Sequence, residues 1–402
     1  MRALCAALGD PQGNFRSLHV VGTNGKSSVT AMTAALLGEA GLLTGACLSP
    51  HAWRWSERTQ IGGAEIGPAA FAAAVDRVAA AIEEVEAGLL EHPGEGSGPE
   101  RITQFEAAIA ASFVALSAAG VEVAVIEAGL GGRLDATNVI PSSATALTSV
   151  GLDHVEWLGE TELEIAAEKL AVLRPGTALV LGSLSPEVEE LGRATARRLG
   201  ARVVEAGPSE EPLLEPGAPP FQARNAAVAL ALAETIVGPL NLEGARAALA
   251  AARLPGRAEV IAGDPPLLAD AAHNEQGARA LAEALPALAG GQPVIACLSI
   301  LADKDAQAIA AALAPALERA VCTAAELGPA MGRPGASATD PEELARLFRA
   351  AGVEAEAIAD PADAVERTIE LARHPAGVAL CAGSHYLLRY AWTAKRAQSS
   401  SR

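Results

Sequence analysis

The residues most able to do chemistry gather first at His19–Thr30, HVVGTNGKSSVT. A β-branched run enters a Gly-Thr-Asn-Gly-Lys-Ser-Ser turn and leaves it as a helix. Gly22 and Gly25 let the backbone turn tightly enough for its N–H groups to converge on phosphate oxygens. The helix N-terminus adds free donors and partial positive charge. Lys26 can reach terminal phosphates, and Ser27 or Ser28 can offer a hydroxyl to Mg²⁺. With Thr23 and Asn24 these residues form a nucleotide-binding loop. Val20 stands five residues before Gly25, where the usual P-loop has a glycine, so the spacing is a variant.

Two further side chains suit a phosphate site. Glu127 ends the apolar run Val121–Ile126, and a carboxylate at the C-terminal end of a strand lies beside the phosphate crevice of a doubly wound sheet. There Mg²⁺ would bridge phosphates. His154 follows the strand-like Thr145–Val150 in the same way. Between them the glycine-dense Gly129–Arg133, GLGGR, can bring backbone close to a flat ligand. Basic residues are nearly all arginine, and the only lysines are Lys26, Lys169, Lys304 and Lys395. A lysine retained on that background points to amine chemistry that guanidinium cannot supply.

These residues need elements to position them. Strand patterns at Leu18–Val21, Leu42–Leu48, Val121–Glu127, Thr145–Val150, Ala178–Leu181 and Arg202–Glu205 alternate with helical ones. The helical stretches are Lys26–Ala40, Phe105–Ala119, Thr161–Leu173, the run after Pro186, Ala223–Ile236 and Leu242–Ala252. A second series places strands at Leu267–Ala271, Val294–Leu298, Ala320–Thr323 and Val378–Cys381. This is the βαβ rhythm of parallel sheets covered by helices. The fold class expected is α/β, a P-loop doubly wound, mostly parallel sheet domain followed by a smaller Rossmann-like domain. Glu91–Glu100 (EHPGEGSGPE) and Ala206–Pro220 read as surface loops, the second as an insertion. The boundary is expected at the Pro-Gly break: residues 1–253 as the nucleotide domain, 254–257 as a hinge, 258–402 as the second domain.

Composition narrows the function. The 402 residues are 50% hydrophobic and 19% charged, enough to build a core. The net charge of −18 repels phosphate backbones and anionic lipid, which argues against nucleic acid and membrane partners. Any anionic ligand must therefore be held by a local site. No run reaches a transmembrane length, the N-terminus MRALCAALGDPQGN has no signal-peptide core, and five widely spaced cysteines fit a reducing cytoplasm.

An ordered set of motifs carries a family resemblance. It comprises GTNGKSS, LSPH (Leu48–His51), ER (Glu57–Arg58), TQFE (Thr103–Glu106), EAGLGGRLDATNV (Glu127–Val139), TSVGLDH (Thr148–His154) and AAEKLAVLRPG (Ala166–Gly176). RNAAVAL (Arg224–Leu230), LPGR (Leu254–Arg257), DAAHN (Asp270–Asn274), LADKD (Leu301–Asp305) and AGSHYL (Ala382–Leu387) follow. From about Leu18 to about Leu388 the chain resembles the folylpolyglutamate synthase/dihydrofolate synthase family of the Mur ligase superfamily. The resemblance implies an ATP-dependent ligase that adds L-glutamate to a folate or dihydropteroate carboxylate through an acyl phosphate, with a closing cleft to exclude water. It implies ATP and two Mg²⁺ ions, with K⁺ as a further cation, and dihydropteroate, reduced folates and L-glutamate as small-molecule partners of a cytoplasmic monomer.

The resemblance also assigns residues. Ser49, Glu127 and His154 are implied metal ligands; Asn225, Arg257 and Asp270 join Gly22–Ser28 as ATP contacts. Thr103, Gln104, Phe105, Glu106, Leu134, Asp135 and Ala136 are implied pterin contacts, although a turn-stabilising role for Asp135 stays open. Lys26, Lys169 and His273 are implied catalytic residues, with Lys169 at a position often carbamylated in the superfamily. His273 and Ser384 are candidates for binding the incoming glutamate. Lys304, among the aspartates of LADKD, is as well explained by a helix start.

The departures bear on substrate. Ser27 replaces the glycine of the usual GTNGKGS, and Ala271 the glycine of DGAHN. Only 17 residues precede Leu18, where family members carry a longer segment that shapes the folate site, so a remodelled pocket or a misassigned start is expected. Ser27 admits a cell-wall peptide ligase, against which TQFE and GLGGRLDATN argue. A non-ligating P-loop switch would not need Glu127, His154, Lys169 and a second domain with its own acid and histidine.

Overall fold

The computed structural model describes residues 1–91, 101–207, 212–252, 254–261, 263–327, 335–374 and 376–400. Beyond Glu91 the expected loop at Glu91–Glu100 lies outside the described residues, as do 208–211 of the second loop and Arg253 at the expected boundary. The chain forms two compact units: Met1–Glu215 with Gln222–Arg253, and Pro216–Phe221 with Leu254–Arg402. Pro216–Pro220, read from sequence as the end of an insertion in the first domain, thus groups with the second unit, together with Phe221.

In the first unit eight strands form one sheet among the described residues. They are β1 (Arg16–Val21), β2 (Thr44–Cys47), β3 (Thr59–Ile61), β4 (Ala64–Glu65), β5 (Val123–Glu127), β6 (Ala144–Leu147), β7 (Ala178–Leu181) and β8 (Arg202–Glu205). Their order is β4-β3-β2-β5-β1-β6-β7-β8. From β2 to β8 all pairings are parallel, and β3 and β4 add an antiparallel edge through Gly62–Gly63. Val123–Ile126 of β5 and all of β7 are apolar and buried because both faces are covered. One core packs Phe15, Phe113, Leu116 and Ile126 under the helix Gln104–Ala118. Another joins Val21, Leu147, Leu179 and Leu181 to Ile165 of the helix Glu162–Leu170. Register fixes the site: Val20 lies level with Glu127, and Val21 with Leu147. The loops leaving β1, β5 and β6 therefore emerge side by side.

The second unit holds β9 (Glu259–Ile261), β10 (Leu267–Ala269), β11 (Val294–Leu298), β12 (Arg319–Cys322), β13 (Glu354–Ala357) and β14 (Val378–Ala382). Their order is β13-β12-β11-β14-β10-β9, parallel except for β9 at the edge. Leu281, Leu285, Leu298, Leu313, Leu344, Phe348 and Leu380 fill its core.

The elements absent from the sequence reading are peripheral or weakly patterned. They include the helices Arg2–Ala7 and Pro68–Glu91, the short β3, β4 and β9, and β13. The β13 sequence, EAEA, has little strand propensity and is strand only because its backbone pairs with β12. All five cysteines are buried and free. Among the described residues no single helix is long and apolar enough to cross a membrane.

Phe348 has no exposed surface. Truncating a fully buried aromatic costs about 3–5 kcal/mol through lost burial and the cavity left behind. Phe348→Ala is expected to lower stability by that amount in urea unfolding, and an effect below ~1 kcal/mol would contradict this packing.

Candidate active site

The nucleotide loop is built before any ligand arrives. Gly25 has φ +84°, and a Cβ on it would lie 2.5 Å from Asn225 Oδ1, so only glycine fits. Asn225, an expected ATP contact, is thereby seated against the loop, and its Nδ2 donates to Gln222 Oε1 at 3.1 Å. The segment Thr148–Gly151 clasps the other side. Thr23 N donates to Ser149 O at 2.8 Å and Asn24 N to Ser149 Oγ at 3.0 Å. Thr148 Oγ1 donates to Asn24 O at 2.6 Å, and Gly151 N to Thr23 Oγ1 at 3.2 Å. Sequence reasoning quoted TSVGLDH for His154 and missed this clasp. Its three hydroxyl-or-glycine residues were the signal. Lys26 Nζ donates to Thr23 O at 3.0 Å, folding the lysine over its own loop.

Lys169 holds the loop from beneath. It is buried, and its Nζ donates to Gly22 O at 3.0 Å. Burial, and secondly the Lys26 cation, pull its ammonium down to about 7, while Asp153 and Asp135 pull the other way.

The sequence-predicted metal ligands meet only in part. Ser27 Oγ lies 2.9 Å from Glu127 Oε1, and Ser49 N donates to Glu127 Oε2 at 3.0 Å. Ser27 Oγ is also 3.3 Å from Ser49 O. A hydroxyl has one proton, and the shorter, charge-assisted contact to Glu127 takes it, leaving the oxygen lone pairs to accept. Ser28 is buried within the helix Lys26–Glu39, so the hydroxyl facing the carboxylate is Ser27's. A carboxylate, a hydroxyl and a carbonyl in one corner are the hard oxygen donors that suit Mg²⁺. His154 sits in the left-handed region at φ +51°, with Nε2 3.8 Å from Asp153 Oδ1. Among the described residues no three His, Cys, Asp or Glu side chains gather as a metal site. An ion here would therefore complete its shell with phosphate oxygens and water.

Glu57 and Arg58, a motif given no role from sequence, hold the turn that carries Ser49. Glu57 accepts from Ala52 N, Trp53 N and Arg54 N at 2.8, 3.1 and 2.9 Å. Arg58 is buried; its Nε donates to His51 Nδ1 at 2.9 Å, and its guanidinium lies 4.6 Å from the Trp55 ring and 5.9 Å from the Phe105 ring. Phe105 in turn rests on Gly129, where a Cβ would fall 2.4 Å from the ring.

The implied pterin contacts divide into two kinds. Gln104 is exposed, Phe105 half-buried, and Leu134 is 92% exposed, so these side chains face outward. The others serve their own loops. Thr103 and Glu106 form a reciprocal capping box, and Glu106 also accepts from the Met1 amino group at 2.6 Å. Asp135 is buried; its carboxylate accepts from Leu130 N at 2.8 Å, from Thr137 N at 2.9 Å and from the Thr137 hydroxyl. Burial nevertheless raises its value against those hydrogen bonds. Its acceptor capacity is spent on the turn, the role left open for it from sequence. Ala136 is buried beside it.

The remaining expected residues lie in the second unit, at the C-terminal ends of its parallel strands. Asp270 follows β10 and is buried; it accepts from Ala258 N at 2.7 Å and Ala272 N at 2.8 Å. Burial raises its value, and the Arg257 cation opposes the rise. Arg257 stands in a turn closed by its N–H on Leu254 O at 3.1 Å, and Ala271 N donates to Gly256 O at 2.9 Å. The expected hinge residues are thus hydrogen-bonded into this unit. His273 Nδ1 is 2.8 Å from Ala271 O, a carbonyl that can only accept, so Nδ1 donates. Ser384 follows β14 and accepts from Tyr386 N at 3.2 Å. The Lys304 side chain is buried, its Nζ 3.9 Å from Asp303.

Two outcomes follow from these contacts. Thr148→Val removes one hydroxyl from the clasp at constant shape, and a hydrogen bond worth ~1 kcal/mol predicts ~5-fold weaker ATP binding by calorimetry. Unchanged affinity would mean that the clasp does not hold the loop. Lys169, depressed in the folded chain, is protonated only in the unfolded chain between about pH 7 and the ordinary lysine value. The unfolded state binds the extra proton, so this group's contribution to stability rises with pH across that window. The stability difference between wild type and Lys169→Met, followed by urea unfolding, is expected to carry that slope; a flat difference would reject the lowered value.

Comparison with known proteins identifies the family. Residues 256–385 match the Mur ligase, glutamate ligase domain family. The dihydrofolate synthase/folylpolyglutamate synthase of Mycobacterium tuberculosis is 35% identical over 80% of this chain and 72% of its own length. The Bacillus subtilis enzyme of the same name is 31% identical, over 76% of each chain. Among solved structures, Mycobacterium tuberculosis folylpolyglutamate synthase complexed with ADP superposes with a TM-score of 0.86 at 30% identity, covering 98% of this chain and 93% of that one. The Yersinia pestis bifunctional enzyme complexed with AMPPNP and Mn ion gives 0.79 at 29%, covering 98% and 92%. The chain belongs to the folylpolyglutamate synthase/dihydrofolate synthase family, on a Mur ligase architecture.

Proposed function

We infer that this protein is an ATP-dependent ligase that forms an amide between L-glutamate and the carboxylate of dihydropteroate or a reduced folate. The observation that carries the reading is the corner where Ser27, Ser49 and Glu127 converge next to a preformed phosphate loop. The loop and its neighbours suit phosphoryl transfer to a carboxylate. A carboxylate oxygen attacks the γ-phosphorus and ADP leaves, giving an acyl phosphate. The glutamate amine then attacks the acyl carbon, loses a proton and expels phosphate. Backbone N–H groups of Gly25–Ser28 hold the phosphate oxygens, the Thr23 and Asn24 N–H groups keep the loop's shape through Ser149, and Lys26 exchanges Thr23 O for the transferring phosphoryl group. A divalent ion held by Ser27, Ser49, Glu127 and His154 would screen charge between the two anions that must meet. Gln104, Phe105 and Leu134 present the outward surface for the acceptor's ring system, with Thr103, Glu106, Asp135 and Ala136 shaping it. Arg257 and Asp270 are proposed nucleotide contacts, and His273 and Ser384 proposed glutamate contacts. A cytoplasmic setting suits the five free thiols.

Lys169 is proposed to work as a carbamate. Its neutral amine adds to CO₂, forming an N–C bond and releasing one proton. Burial supplies the condition, because near-neutral pH leaves much of the amine unprotonated. The product is an anion able to join the metal-binding set, and it relieves the repulsion between Lys169 and Lys26.

The test is phosphate release from ATP with Mg²⁺ and L-glutamate, adding 7,8-dihydropteroate or tetrahydrofolate separately and weighing the products. A glutamate adduct on either acceptor is expected; phosphate release indifferent to both would sink the folate reading. Lys169→Arg keeps a cation but bars the carbamate, and loss of ~10²-fold or more in kcat is expected. In wild type, activity lost by CO₂-free incubation at pH 6 should return with bicarbonate at pH 8. Activity indifferent to bicarbonate would exclude the carbamate.

A further inference from the structure

We propose that His19, a residue outside the site described above, is a positioning residue for the acceptor substrate, acting through Thr137 and Asp135 on the loop Gly129–Ala136. The inference rests on the ligase reading and deepens it. His19 lies in the middle of β1, fully buried, with Ile126 and Thr145 as its register neighbours. Its Nε2 is 2.8 Å from Thr137 Oγ1. Thr137 has a single hydroxyl proton, and it goes to the Asp135 carboxylate. The threonine oxygen must then accept, so the imidazole is the Nε2–H tautomer. Asp135 passes the constraint on through Leu130 N and Thr137 N. The relay thus runs from a rigid central strand to the two ends of the turn that carries Leu134, the most exposed large apolar side chain of the described residues.

Other contacts fix the same segment from outside, beside its tip at Arg133 and beyond Thr137. Arg133 Nε donates to Glu168 Oε1 at 2.8 Å, and its N–H to Glu168 O at 3.0 Å. Arg174 donates to Asn138 O at 2.7 Å and Ile140 O at 3.1 Å. The relay ties the Leu130–Asp135–Thr137 stretch to β1, beside the bond from Ala128 N to Val20 O at its entry and the packing of Ala136 and Ile140 with Ile126. Burial, reinforced by the Arg174 cation, drives the imidazole down to about 3, so the tautomer persists across the working pH range. A permanently neutral histidine there serves geometry.

His19→Leu removes the donor, Thr137→Val removes the middle of the relay at constant shape, and His19→Gln keeps an N–H donor near the Nε2 position. Initial rates with 7,8-dihydropteroate and tetrahydrofolate are the readout. His19→Leu and Thr137→Val are expected to raise the acceptor KM ~10-fold, the effect of losing one buried hydrogen-bonded link, with the ATP KM within ~2-fold. The double variant should match either single one, and His19→Gln should return within ~3-fold of wild type. Equal movement of both KM values, additive effects, or no rescue by His19→Gln would overturn the proposal. Should His19→Leu fail to fold, Thr137→Val and His19→Gln still decide it, and imidazole ¹⁵N resonances of wild type showing an Nδ1–H tautomer would overturn it directly. Wild-type protein that ligates neither acceptor sinks the functional reading and this inference together; wild-type turnover with an unmoved acceptor KM in the variants sinks this inference alone.

Discussion

The hydrogen bond from Lys169 Nζ to Gly22 O, 3.0 Å long and sealed from solvent, is the contact on which the rest of the site depends. It ties the helix Glu162–Leu170 to the first residue of the phosphate loop. A buried ammonium is costly, and a second lysine close by adds to the cost. The structure accommodates it by lowering the proton affinity of Lys169 rather than by giving it a carboxylate partner at contact distance. An amine in that state is a neutral donor to one carbonyl and a nucleophile toward a small electrophile. An arginine would fit neither role, which is the physical content of a lysine kept in a chain that otherwise uses arginine.

Around that contact the protein solves one electrostatic problem. With a net charge of −18, its overall field opposes every anion in the reaction: nucleotide, acceptor carboxylate and glutamate. Attraction must come from fixed groups at short range. Backbone N–H donors serve because their orientation is set in folding: the loop is braced where Thr23 and Asn24 donate to Ser149, where Asn24 O accepts from Thr148, and where Asn225 lies against Gly25. Thr148 and Ser149 leave β6 next to the loop leaving β1 because Val21 and Leu147 are in register.

Much of this was legible in the sequence, and what was not has physical reasons. Buried parallel strands such as Ala178–Leu181 and Val294–Leu298 appear within their predicted bounds because hydrophobic runs of strand length were flanked by helical periods. The β3–β4 edge carried a usable Gly-Gly hairpin signal between TQI and AE that the reading passed over. Glu354–Ala357 had no such signal, since its strand state comes from its neighbour. In the site, residue types pointed to Lys26, Ser27, Glu127 and Lys169, whose neighbourhood follows from strand order. Sequence could not say which acids turn outward. Asp135 and Asp270 both resemble ligand-binding carboxylates on paper, yet Asp135 accepts backbone N–H groups of its own turn, and Asp270 accepts those of Ala272 and of Ala258, twelve residues away. That distinction depends on side-chain direction, which no spacing rule encodes. His19 escaped notice for the converse reason: a histidine inside an apolar strand reads as core until its partner, 118 residues away, is known.

The same geometry explains why Glu57 and Arg58 stand together. Ser49 needs its N–H aimed at Glu127 and its carbonyl near Ser27, yet it lies on a turn with no regular hydrogen-bond ladder. Glu57 supplies a substitute by accepting three successive N–H groups at Ala52–Arg54, and Leu48 N on Arg58 O closes the base of the turn at 2.8 Å. Arg58 then spans from His51 to the Trp55 and Phe105 rings. A lysine could supply the charge but not a planar face for two rings together with a directed Nε–H. Because Phe105 also rests on Gly129, one guanidinium braces both the turn that carries Ser49 and the ring packed on the Gly129 loop. The Ser49 turn and the Gly129 loop are therefore set by shared contacts, and displacement of either is transmitted through packed groups to the other.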